Sequence, residues 1–432
     1  VQVDVQPAGM VVADRHLRTE RAHEFAHDRA GDVRAVAPRG AQIVDRRDVG
    51  EHGLLERGVV VLVHAPARHE GLDAFVGAQP HERLASLDAL ELAPEAKFDW
   101  LYRASPLSSD QVFMLRAIDE RGSASEVGTC GVLPRRYWAA GRSARFAVIG
   151  DLAVDVEHRR LLPALQLTRA VHAAASRDYD VAYGFPNPKA DRTMLRAGFR
   201  LLGRMRRYAH VLHHEGYVHR VAERLPRLPP LAVRALQRPR VARLAGALLD
   251  VVGLSSKARG LLLSAASHRL DWSDHFDEGF DRLWEEARSE YAIVGERTSA
   301  FLRWRYPRAT IAKLSRRAPA PSREGAMLAY AVVELDRTTK TAHLRDLFGH
   351  QGAYGPLLDL LLPSLYARGA ASVSVRLLGA PEVVQALEAR GFELREEDRI
   401  VIVAVGARQS EHRAVFEEPR HWHLFDEDED VG

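Results

Sequence analysis

The chain has one cysteine, Cys130, and one asparagine, Asn187, in 432 residues. A lone cysteine excludes internal disulfides, so the fold must be held by its apolar core, and it suits a reducing compartment. No apolar run reaches the ~18 residues of a spanning helix. No short apolar stretch follows a basic start, so no secretory leader is expected and the expected location is cytoplasmic. A net charge of +3 is too small to argue for a nucleic-acid partner. Lysine is scarce beside abundant arginine, which reads as the residue bias of a GC-rich genome. What is present is ordinary for a soluble globular chain: 46% hydrophobic and 28% charged residues. The length suggests two or three domains.

Residues 1–96 differ from the rest. They contain no Lys, Asn, Tyr, Trp or Cys, one serine (Ser86) and one isoleucine (Ile43). Apolar clusters such as 59–63 occur without sustained periodicity. The segment is either a true extension carrying the first elements of a domain or the product of a misplaced start; poor order is expected in both cases. It contains His23-Glu24-Phe25-Ala26-His27, the H-E-x-x-H spacing of zinc hydrolases. The flanks lack the apolar face such a helix buries, and Ala30 and Val33 stand where the extended motif has Gly and His. No metal is expected.

The most informative feature is a repeat. Residues 162–199 and 355–392 follow one pattern, each with a proline near its start and a Gly-Phe at its end. Pro163 to Gly198 and Pro356 to Gly391 both span 35 residues. Each copy follows an Asp-Leu strand, Asp151-Leu152 and Asp346-Leu347. An aromatic anchor lies upstream of each, Trp100-Leu101-Tyr102 and Trp304-Arg305-Tyr306. Such self-similarity points to two tandem domains of one type.

From residue 97 the pattern alternates strands and helices. A helix end is expected at 97–102 and antiparallel strands at 111–118 and 126–133, joined by a turn at 120–122. A nearly continuous apolar strand is expected at 147–154. A helix at 157–176 places Leu161, Leu165, Thr168 and Val171 on one face. A short strand at 180–183, a helix at 188–197 stopped by Gly198, and a closing strand at 200–212 complete the first unit. Residues 214–285 read as a basic helical linker, and 286–406 as a second unit with strands at 326–335, 340–348, 372–378 and 400–405. Residues 407–432 end in five consecutive acids and read as a disordered tail.

The chemistry-bearing constellation lies where the 147–154 strand meets the following helix. A helix start after a strand offers free N–H groups and a positive dipole end, a ready seat for a diphosphate. The segments at 98–103 (F-D-W-L-Y-R), 131–138 (G-V-L-P-R-R-Y-W), 151–154 (D-L-A-V) and 184–187 (G-F-P-N) resemble tandem proteins of the GNAT N-acetyltransferase family of bacteria. The resemblance spans 97–405, strongly in the first copy (97–213) and weakly in the second.

The resemblance implies an α/β (α+β) fold of two GNAT-like domains, each a mixed, mostly antiparallel sheet flanked by helices, with a degenerate second copy. It implies acetyl-CoA as co-substrate and a small-molecule or peptide amine as acceptor. The family motif Q/R-x-x-G-x-G/A maps Arg159 to its first place and Ala164 to its last. Leu162 stands where the family has glycine, and Pro163 has no N–H to donate. Arg160, Leu161 and Leu165 complete the phosphate segment. Leu152, Ala153 and Val154 would pair with the pantetheine arm, and Asn187 would orient it or cap the next helix.

The family often has a tyrosine acid four residues before the Gly-Phe; Met194 stands there and cannot donate. Tyr183 and Tyr208 are substitutes. An amine must be neutral to attack, so a base is expected: Asp151 first, with Glu157 and His158 as alternatives. In the second copy Gly352 stands where Arg159 stands in the first, so its phosphate signature is missing. The competing readings are a non-catalytic acyl-CoA-binding or scaffolding protein and a zinc hydrolase on His23 and His27.

Overall fold

The computed structural model describes residues 59–66, 99–107, 111–118, 123–158, 161–215, four positions between 238 and 246, 260–317 and 325–428. Its strands, in chain order, are β1 Val59–Pro66, β2 Gln111–Ile118, β3 Ala124–Ala139, β4 Arg142–Val154, β5 Val181–Gly184, β6 Arg200–Val211 and β7 His268–Ser273. They continue as β8 Ile293–Gly295, β9 Thr310–Arg316, β10 Met327–Asp336, β11 Thr341–Gly349, β12 Ser372–Gly379, β13 Glu393–Val405 and β14 Trp422–Phe425. The helices include α1 Leu161–Asp178, α2 Asp191–Ala197, α3 Glu278–Ala287, α4 Ser299–Arg305, α5 Tyr354–Ala367, α6 Pro381–Glu388 and α7 Arg413–Phe416.

The strand order shows the repeat as an exchange. The run β4-β5-β13-β6-β12-β11 reads the same from both ends once β4, β5 and β6 are matched to β11, β12 and β13. The last strand of each copy lies between the last two strands of the other: β13 between β5 and β6, and β6 between β12 and β13. A second pseudosymmetric contact joins the aromatic anchors. Trp100 Nε1 donates to the Trp304 carbonyl at 2.8 Å, and Trp304 Nε1 donates to the Trp100 carbonyl at 2.9 Å.

The pairing also closes on itself. β12 pairs β14, β14 pairs β8, and β8 pairs β3, so β3, β4, β5, β13, β6, β12, β14 and β8 form a ring. Inside it packs an aromatic core of Tyr137, Phe146, Tyr183 and Trp422. A ring has no free edges at these strands, which removes a route to aggregation. A second core lies between the first sheet and α1, where Leu165, Thr168, Val171 and Ala175 are buried on one helical face. A third fills the second copy around Phe280, Tyr330, Phe348 and Leu361.

Several expectations change. The apolar cluster at 59–63, placed in a segment expected to be poorly ordered, belongs to β1, which pairs with β2 from Val59↔Ile118 to Pro66↔Gln111. The remainder of 1–98, with His23, Glu24 and His27, lies outside the described residues. The end of the expected 214–285 linker belongs to the second copy instead: β7 pairs with β9, and α3 buries Phe280, Leu283, Trp284 and Ala287. The hydrophobic spacing of α3 drives this, because an amphipathic face must be covered.

The tail is the largest correction. Most of 407–428, expected to be disordered, forms α7, β14 and short 3-10 turns, with Trp422 and Phe425 buried. The apolar run Trp422-His423-Leu424-Phe425, just ahead of the acids, carries enough core surface to fix it. The smaller expectations hold closely. β2 and β3 are antiparallel, and α2 ends at Gly198, whose φ of 117° suits a residue without a Cβ.

Candidate functional site

β4 and β5 run parallel and pair only from Phe146↔Val181 to Ile149↔Gly184. β4 then continues alone on that side through residues 150–154, while the chain after β5 turns off through Phe185, Pro186 and Asn187. Two parallel strands that part in this way leave a wedge lined by backbone N–H and C=O groups. The β3–β4 ladder changes register in the same place: Gly131 faces Gly150 and Thr129 faces Ala153, so Cys130 opposes both Asp151 and Leu152. This is a β-bulge, and Asp151 takes the left-handed conformation with φ 47°. Bulges re-aim side chains and recur beside active sites, and a non-glycine residue held at positive φ marks a position fixed by its surroundings.

Asp151 is half-buried, and its Oδ2 accepts a hydrogen bond of 2.7 Å from the Tyr102 hydroxyl. Leu152, Ala153 and Val154 are half-buried on the strand that leaves the bulge. The chain then passes Asp155 and an exposed 3-10 turn, Val156–His158, and enters α1 at Leu161. Glu157 is exposed in that turn, and its amide donates to Asp155 Oδ1 at 3.4 Å.

Arg159 and Arg160 lie outside the described residues, as do the side chains of Leu161 and Leu162. Pro163 is the third residue of α1 and lies in the first turn, where helix N–H groups have no intrahelical partner. Ala164 is half-buried, and Leu165 is buried in the core beneath α1. Asn187 Oδ1 accepts from the Lys189 and Ala190 amides, both at 3.0 Å, which gives it the helix-entry role ahead of α2.

The two tyrosines considered as acids are corrected. Tyr183 is 1% exposed inside the ring; its hydroxyl accepts from Tyr137 at 2.7 Å and donates to the Asp428 carbonyl at 3.0 Å. Burial pushes its phenol well above the usual range. It points away from α1 because alternate residues of β5 face opposite sides of the sheet. Tyr208 is buried in the core of the second copy. Met194 packs under α1, and Cys130 is buried as an apolar residue.

The matching wedge of the second copy is filled. The β11–β12 pairing ends at Leu344↔Val375, and beyond it β12 pairs with β14 from Leu377↔Phe425 to Gly379↔His423. His423 Nε2 donates to the Leu347 carbonyl at 2.7 Å, on the strand that corresponds to Leu152. Asp346, the counterpart of Asp151, is fully buried. Arg297 Nε donates to its Oδ2 at 2.9 Å, and Tyr330 donates to the same oxygen at 2.8 Å. Arg297 Nη2 also donates to both Asp428 oxygens at 2.9 Å. Burial outweighs Arg297 here and pushes the Asp346 carboxyl above the ordinary carboxylate range. None of this plug was read from the sequence, although the apolar run 422–425 carried a strand signal.

His423 gives a pH signature. Burial lowers its imidazole from 6.5 to about 4, and Arg297 adds to the shift. The folded protein therefore resists a proton that the unfolded chain accepts. Stability is fully present above pH 6.5 and is lost as pH falls toward 4, by about 3 kcal/mol in all. In urea titrations, His423→Gln keeps a donor for Leu347 and is expected to flatten the slope of stability between pH 6.5 and 4. An unchanged slope contradicts the assignment.

No family model and no curated protein matches this chain. Solved structures do. A conserved protein of unknown function from Enterococcus faecalis V583, described as a probable N-acyltransferase, aligns over 81% of this chain and 74% of its own, at 13% identity and a TM-score of 0.50. A GCN5-related N-acetyltransferase from Anabaena variabilis aligns over 80% and 72%, at 12% identity and a TM-score of 0.49. A tandem GNAT protein from the clavulanic acid biosynthesis pathway aligns over 80% and 98%, at 16% identity and a TM-score of 0.42. At these identities the likeness is one of fold. With the duplicated strand order, it describes the architecture: two α/β units of one type sharing one sheet system, in the fold of the Enterococcus faecalis protein, with the wedge of the second copy filled.

Proposed function

We propose that the chain is an acyl-CoA-dependent N-acyltransferase that moves an acetyl group from acetyl-CoA to an amine in the wedge of the first copy. The observation that carries this reading is the parting of β4 from β5 at Ile149 and Gly184, with the Asp151 bulge on the exposed strand and the α1 entrance beyond it. An extended pantetheine can add to a strand edge through backbone hydrogen bonds, here along Leu152, Ala153 and Val154. The diphosphate then meets the first turn of α1, formed by Leu161, Leu162, Ala164 and Leu165, and Arg159 and Arg160, which precede it in the sequence, are the proposed charge partners. Pro163 removes one amide from that cradle, so affinity rests on its neighbours. Asn187 closes the side next to β5.

In the reaction, the neutral amine nitrogen bonds to the thioester carbonyl carbon and the carbon–sulfur bond breaks. Asp151, the base, takes the proton released by the nitrogen. A backbone N–H of the β4 edge stabilises the charge that develops on the carbonyl oxygen. The leaving sulfur departs as thiolate and takes its proton from water, because Met194 and Tyr183 sit in cores. Glu157, exposed at the mouth, is a second carboxylate within the segment. The acceptor is a small-molecule or peptide amine, the setting cytoplasmic, and the division of labour one working copy (97–213) braced by a degenerate one.

A second reading, acyl-CoA binding without transfer, is favoured by Met194, which stands where the tyrosine acid was expected and is buried under α1. Calorimetry with acetyl-CoA followed by thiol release across a panel of amines separates the two. Binding with release supports the transferase, binding without release supports the second reading, and no binding at millimolar acetyl-CoA overturns both.

A further inference from the structure

We infer that Tyr102 is the positioning residue for Asp151 and that the second copy holds Tyr102 in place; the inference rests on the function proposed above. Asp151 sits at positive φ, a backbone conformation that a residue with a side chain keeps where its surroundings hold it. Its carboxylate accepts a 2.7 Å bond from Tyr102. The phenol reaches it through a gap in β3 made by Gly131, where a Cβ would lie 2.1 Å from the Tyr102 hydroxyl oxygen. Any side chain at 131 would displace the phenol, so glycine there and tyrosine at 102 form one arrangement.

Tyr102 belongs to neither β3 nor β4. It stands in a single π-helical turn, Asp99–Arg103, whose Leu101 and Tyr102 are buried. That turn is fastened to α4 of the second copy. The two indoles exchange hydrogen bonds with each other's backbone, their rings lie 5.7 Å apart, and the Arg305 guanidinium sits 5.1 Å from the Trp100 ring centre. A continuous set of contacts therefore runs from α4 through Trp304, Trp100 and Tyr102 to the carboxylate of Asp151. In the second copy the same acid, Asp346, is bound by Arg297 and Tyr330 and buried. The degenerate copy thus orients the base of the working one. It acts through bonds that a separated first copy would lack.

Tyr102→Phe keeps the ring and removes the hydroxyl. Its kcat for acetyl transfer is expected to fall about 10- to 100-fold, with the KM for acetyl-CoA within about twofold of wild type. On the ligand-free protein, amide hydrogen exchange across residues 150–154 is expected to quicken about tenfold or more, with the melting temperature nearly unchanged. Trp304→Phe removes one N–H donor between the copies and is expected to act in the same direction with a smaller effect. Unchanged exchange at 150–154 in Tyr102→Phe overturns the positioning role, and so does faster exchange with an unchanged kcat. The exchange readout needs no acyl donor, so failure of the wild type to bind acetyl-CoA would strike the transferase reading and leave this result separately legible.

Discussion

Asp151→Asn is expected to lower kcat for acetyl transfer by about 10²- to 10⁴-fold, the usual worth of a positioned base, with acetyl-CoA affinity preserved. The substitution isolates the chemistry. Asparagine tolerates the left-handed backbone better than most residues, so the φ of 47° remains accessible. Its side-chain oxygen still accepts from Tyr102, so the 2.7 Å contact and the bulge persist. What disappears is the capacity to take a proton. An effect on kcat alone is then the signature of a base, whereas a matching loss of cofactor affinity would point to a collapsed bulge. A kcat equal to that of wild type would remove Asp151 from the reaction and turn attention to Glu157.

Arg297→Met is expected to destabilise the fold by about 3–5 kcal/mol, lowering the melting temperature by on the order of 10 °C. Arg297 is 2% exposed and lies between Asp346 and Asp428, themselves buried. Methionine fills part of the volume but leaves two carboxylates facing each other without their cation. Their routes to relief are protonation, water entry or release of the tail. Because Asp428 also accepts from the Phe425 amide, the loss should loosen β14 and reopen the wedge of the second copy. Limited proteolysis near 419–428 reads this directly: faster cleavage in the variant supports the plug, and wild-type resistance with an unchanged melting curve contradicts it. Replacing Asp346 as well, in an Arg297→Met/Asp346→Leu double variant, should recover part of the stability, since an apolar pair can substitute for buried charge.

The repeat, the main strands and the α1 and α2 helices were legible because local periodicity and paired signatures encode them. Asp151 stood out for a related reason: an acid inside a nearly continuous apolar strand is rare enough to notice. Other features depend on contacts between distant segments. Nothing local in β6 or β13 states that each will be inserted beside the other copy's strands, because swapped and unswapped strands carry the same alternation. Tyr183 reads equally well as an acid or as core until the ring closes around it. Charge misled at the C-terminus, where Asp426 to Asp430 suggested a solvated tail. The four residues before them, two of them large aromatics, carry the burial that fixes β14, and Asp428 is drawn in by Arg297. Tyr102 was visible only as half of an aromatic repeat; its hydrogen bond to a residue 49 positions away was not.

The central claim is that one wedge, in the first copy, receives the acyl donor. Hydrogen-exchange mass spectrometry with and without acetyl-CoA tests it most directly. Slowed exchange across residues 150–165, with no change across 345–358, is the predicted footprint. Protection confined to 345–358, or none at saturating acetyl-CoA, would contradict the account.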